Sequence, residues 1–142
     1  MDSGHTRRQL LDGYPLRELL AVTLIIGLLA GIAIPLFLDQ RKKGHDAAAK
    51  ASLDAVATAI VDYTKANQEL PTVTVTGSIV TLNDGTSVTL GSGVILGALT
   101  GTTDAWCIDD KQPHGNRAKI KGYKYSATKD ATDDKVAEGQ CA

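Results

Sequence analysis

Aromatic side chains are scarce in this 142-residue chain, which carries one tryptophan, one phenylalanine and four tyrosines. So small a stock offers little for stacking bases, and a formal charge of −1 supplies no attraction for a polyanion. Both argue against a general nucleic-acid binder. The three histidines, His5, His45 and His114, are scattered, no serine nucleophile elbow is present, and no G-x-x-x-x-G-K phosphate loop occurs. Nothing argues for an enzyme, a cofactor or a metal centre. Asp130, Asp133 and Asp134 lack the glycine and the twelfth-position glutamate of a calcium loop, so a solvated turn is the reading there. The only cysteines, Cys107 and Cys141, stand far from C-x-x-C spacing and lack an accompanying histidine cluster, which argues against a redox or metal-binding pair.

Charge is missing where it matters most. Residues 19–38 form a run of twenty in which Thr23 is the single polar residue. At the helical rise such a run spans a bilayer's hydrocarbon core. It starts too late and stays apolar too long for a secretory signal, whose apolar region covers about 7 to 15 residues. Glu18 stands immediately before it, although a carboxylate at mid-membrane costs roughly 2.5 to 3.5 kcal/mol. Arg7, Arg8 and Arg17 precede the run and Arg41, Lys42 and Lys43 follow it, so the positive-inside count is tied. Gly27 and Gly31 have G-x-x-x-G spacing, which suits close helix packing but is also ordinary for membrane helices. Pro35 removes the hydrogen bond to the Gly31 carbonyl, which predicts a kinked or flexible segment.

The string Gly13-Tyr14-Pro15-Leu16-Arg17-Glu18, the apolar run, and Ile32-Ala33-Ile34-Pro35 leading to Arg41-Lys42-Lys43 resemble the N-terminus of type IV pilins. The resemblance implies a cytoplasmic leader, residues 1–13, cut after Gly13 by a prepilin peptidase to expose Tyr14. It implies an apolar membrane and filament-core helix over residues 14–43 and a globular head over 44–142. It assigns assembly roles to Glu18 and Pro35, with Gly27 and Gly31 packing on neighbouring helices. Its partners are the membrane before assembly, the pilus assembly machinery, and further copies of the chain in a helical homopolymer on the cell surface. It also places the two cysteines in an oxidising compartment, where Cys107 and Cys141 would close a C-terminal disulfide loop. The alternatives are a pseudopilin of a type II secretion system and a monomeric membrane-anchored binding module.

Past the basic stop, Ala49, Leu53, Val56, Ile60 and Tyr63 recur at steps of three and four, and Pro71 ends the pattern. One helix running on to about Gln68 is predicted. The period then changes. Residues 72–76 alternate threonine with valine, and residues 79–82 and 86–90 follow after Gly77-Ser78 and Asn83-Asp84-Gly85. This predicts a three-stranded meander with a type II′ turn at Gly-Ser and a type I′ turn at Asp-Gly. Few large apolar residues occur in it, so one face is buried, against the Leu53 to Tyr63 stripe. Gly91, Gly93, Gly97 and Gly101 mark a looser connection. The fold class expected is α+β: a long N-terminal helix, apolar and membrane-embedded in its first half, packed on a small antiparallel sheet.

Lys111, Arg117, Lys119, Lys121 and Lys124 occur within one segment without an intervening acid. Arg117, Lys119 and Lys121 alternate with Ala118 and Ile120, so a strand is predicted that lines the cations along one face, with a bulge at Gly122 where the parity changes. Such a stripe would hold anions or DNA phosphates. The competing readings are a solvated face, or a complement to Asp109, Asp110 and the 130–134 acids between subunits.

Overall fold

The computed structural model describes residues 15–128 and 136–142. The leader, the Gly13-Tyr14 junction and the acids Asp130, Asp133 and Asp134 lie outside the described residues.

A single helix, α1, runs Leu16–Asn67. Proline suits its start because a first-turn residue needs no N–H partner, and the Pro15 carbonyl accepts from the amides of Glu18 at 2.8 Å and Leu19 at 3.3 Å. The helix continues through Pro35. Proline deletes one i to i−4 bond, and the apolar turns on either side keep the rest. At the far end Gln68 takes φ 58° and its amide donates to the Thr64 carbonyl at 2.9 Å, a left-handed termination usually given to glycine. The predicted end is thus met within one residue.

Contacts divide the chain into Met1–Leu38 and Asp39–Ala142. Within the second unit, the stripe Ala49, Leu53, Val56, Ile60 and Tyr63 is buried, as its spacing predicted. All of it but Tyr63 packs in one cluster with Val80, Leu90, Trp106, Ile108, Tyr123 and Tyr125. Tyr63 also fixes the helix end, since its hydroxyl accepts from Asn83 Nδ2 at 2.8 Å while Asn83 Oδ1 accepts from the Thr72 amide at 3.2 Å.

The predicted meander is present as β1 (Val73–Thr76), β2 (Ile79–Leu82) and β3 (Ser87–Thr89), antiparallel in that order. Thr76 pairs with Ile79, leaving the two-residue loop Gly77-Ser78 with positive φ at Gly77 alone, as a type II′ turn requires. The second turn is not type I′. Among the described residues Gln68 is the single non-glycine with positive φ, so Asp84 stays on the ordinary side and only Gly85, at φ 88°, crosses over. Asp84 prefers this geometry because its carboxylate accepts from the Thr86 amide and hydroxyl at 2.8 and 3.0 Å.

A second sheet follows: β4 (Ile95–Leu96), β5 (Thr100–Thr102), β6 (Ala105–Lys111), β7 (Tyr123–Thr128) and β8 (Val136–Glu138). Its order is β4-β6-β7-β8, with β5 also on β6. The glycine-rich stretch expected to be a loose connection therefore carries two short strands along the β6 edge. Glycine is what permits this: a Cβ at Gly97 would strike the Asp109 carboxylate, and one at Gly101 the Ala105 carbonyl.

Cys107 on β6 is bonded to Cys141, closing a ring of sequence separation 34 that encloses β7 and β8. By the chain-entropy account this removes freedom from the unfolded chain worth about 2–4 kcal/mol. Replacing both cysteines by serine is expected to lower unfolding stability by that amount, as read from urea denaturation of the full chain in detergent. Unchanged denaturation midpoints would show that the bridge contributes nothing.

Candidate functional site

Between Leu19 and Leu38 the large apolar side chains are 50% to 67% exposed, on every side of the helix. Among the described residues, none covers any face of it. A helix that is apolar all round requires an apolar environment from outside, so this segment is a candidate membrane anchor. Its single polar side chain is compatible with that environment, because Thr23 Oγ1 donates to the Leu20 carbonyl at 2.9 Å. Gly27 and Gly31, one turn apart, have nothing within 4 Å of where a Cβ would stand, leaving the backbone open to a neighbouring helix. Glu18 occupies the first turn, where the helix dipole favours a negative charge.

The basic residues do not form the predicted strand face. Residues 117–120 are a helical turn, α2 (Arg117–Ile120), with Lys121 at its end. The cause lies 70 residues upstream. Asp46 on α1 presents its carboxylate to the amides of Asn116 at 2.9 Å, Arg117 at 3.2 Å and Ala118 at 3.1 Å, satisfying the donors that open a helix. Gly122 is correspondingly not a bulge but the left-handed residue after α2, with φ 70° and its amide donating to the Arg117 carbonyl at 3.3 Å. A Cβ there would meet the Asp110 carbonyl at 2.5 Å.

The turn also distributes the cations. Arg117 pairs with Glu138 on β8, and Lys121 approaches the same carboxylate at 3.8 Å. The pairing raises the Arg117 pKa and holds that of Glu138 below the usual carboxylate range. Lys124 sits on β7 directly opposite Asp109. Lys119 occupies α2. The strand face expected to align Arg117, Lys119, Lys121 and Lys124 is thus absent, and two of the four, Arg117 and Lys121, face Glu138 instead.

Three polar residues organise the head in roles that sequence reasoning did not assign; Asp110, read there as a possible complement to the cations between subunits, is buried instead. Asp46 caps α2. Gln112, fully buried, accepts from the His114 amide at 2.6 Å, donates to the Ser92 carbonyl at 2.9 Å and lies 3.0 Å from His45 Nδ1. Asp110 is 1% exposed, and among the described residues neither carboxylate oxygen has a hydrogen-bond partner. Burial pushes its pKa up to about 7; the Tyr123 backbone amide opposes this without reaching hydrogen-bond geometry, and the Asp109 charge adds to it. A signal was available for two of them. Trp106, Ile108, Asp110 and Gln112 share strand parity, so a strand that buries the first two also buries the others. Asp46 carried none, since its partners are distant in sequence.

Comparison with protein-family models, with curated proteins and with solved structures returns no match. Fold and site therefore define the class directly: an α+β head stapled by a disulfide, on a helix whose N-terminal half is an exposed apolar anchor candidate.

Proposed function

We propose that the chain is a type IV pilin precursor, whose mature form polymerises through its apolar N-terminal helices into a surface filament that displays the heads. The observation that carries the reading is the continuity of α1. One helix supplies both the apolar segment that the chain leaves uncovered and the stripe on which the head is built. Glu18 in the first turn, the open Gly27 and Gly31 backbone, and the disulfide near the C-terminus all accord with a subunit of that kind. The chain's membrane location is then a stage before assembly.

The test is the first residue of protein sheared from the surface of expressing cells. Cleavage after Gly13 yields Tyr14 as that residue, and Gly13→Val leaves an uncut precursor in the membrane. Surface-recovered protein that still begins at Met1 overturns the reading.

A further inference from the structure

The inward face of β6 continues past the strand end into Gln112, and the contact it makes there is chemically one-way. The Gln112 carbonyl oxygen accepts from the His114 amide at 2.6 Å and its nitrogen donates to the Ser92 carbonyl at 2.9 Å. These two bonds fix which end of the amide is which, because a backbone amide only donates and a backbone carbonyl only accepts. The second hydrogen on Gln112 Nε2 consequently points at His45 Nδ1, 3.0 Å away. His45 must accept there, so its ring proton resides on Nε2.

We propose that His45 is a proton sensor for the head: a proton taken up at Nδ1 unlatches α1 from the segments 91–94 and 112–118. Protonation sets N–H against N–H. Turning the Gln112 amide over would repair that clash only by breaking both other bonds, which leaves polar groups of the buried Gln112 side chain unmatched. On α1 itself, Arg41 and Lys42 stand one turn before His45, and both are cations. The His114 ring lies 5.7 Å from that of His45, so a second proton there adds repulsion. Asp46 follows it on α1, with its carboxylate engaged by the α2 amides. Asp110 is two residues before Gln112 on the same face of β6. Segment 91–94 contributes no titratable side chain. Release of Gln112 loosens the His114 amide first and then the α2 turn that Asp46 caps. The inference stands on the head alone, whether or not the chain forms filaments.

The experiment uses the full chain in detergent micelles carrying Asp110→Asn, which removes the competing titration on β6. Backbone amide exchange at His114 is measured at pH 7.5 and pH 5 and corrected for the intrinsic pH dependence of exchange. Protection is expected to fall about tenfold or more at pH 5, the effect of losing one buried hydrogen bond. His45→Asn places an amide oxygen where Nδ1 stood, accepts the same bond and binds no proton. Its protection should be equal at both pH values. Equal losses in both proteins overturn the proposal, as does no loss in either. Should His45→Asn fail to fold, the protonation curve of the His45 ring, followed by nitrogen chemical shift in the Asp110→Asn protein, takes its place. It must coincide with the loss of His114 protection, and separate curves overturn the proposal.

Discussion

Asp110→Asn is expected to make the head more stable at pH 8, by up to about 4 kcal/mol, while changing little near pH 4. The carboxyl titrates at the ordinary value of 3.8 in the unfolded chain and at about 7 in the fold. Its folded pKa is the higher one, so the proton it retains stabilises the fold fully below about pH 4. That contribution is lost as pH rises from about 4 to 7 and is absent above. At pH 8 the native head therefore holds a buried charge with no hydrogen-bond partner among the described residues, whereas asparagine of the same shape is neutral at every pH. Urea denaturation of both proteins in detergent at pH 4.5, 6 and 8 reads the effect as a gap that widens with pH. A gap that is constant, or a variant less stable at pH 8, would mean that the Asp110 carboxylate is compensated in solution.

Glu18→Ala is expected to leave leader cleavage intact and to abolish, or nearly abolish, filament assembly. This prediction rests on the pilin reading. A carboxylate at the start of an apolar helix is costly in lipid unless a positive group meets it. On that reading, the group is the α-amine that cleavage would free at Tyr14 of a neighbouring subunit. Pairing between subunits rewards the one axial register in which each arriving copy neutralises the last. Arg17 competes for the same charge or for lipid phosphates, so Arg17→Ile is expected to assemble at least as well as the parent. Electron microscopy of cells expressing each variant, with the N-terminal residue of the membrane pool determined alongside, separates assembly from processing. Normal filament numbers with Glu18→Ala would sink the assembly role of this residue.

Local periodicity determined a great deal of this protein. The run 19–38 is helical and apolar because nothing in it but Thr23 asks for water, and the steps from Ala49 to Tyr63 bury one side of α1 whatever packs there. Threonine and valine alternation with two glycine turns was enough for the meander of β1, β2 and β3. In each case the signal lies within a few residues of the structure it specifies, and hydrophobic burial has no competitor.

Tertiary structure alone decided the rest. Residues 117–121 alternate cation and apolar residue as a strand would, yet they coil, because the Asp46 carboxylate satisfies three amides that a strand would have paired elsewhere. The glycines from 91 to 101 look like slack, yet two short strands form there because glycine lets the backbone close on β6. Asp110 looks like a solvated acid, but strand parity carries it inward with Ile108, and burial then moves its proton affinity. Gln112 gained its role from His45, Ser92 and His114 together, three contacts that no sequence window spans. Periodicity reports which side of an element avoids water; which polar groups meet across the core depends on long-range pairing, and those meetings set the charge and proton chemistry of the head.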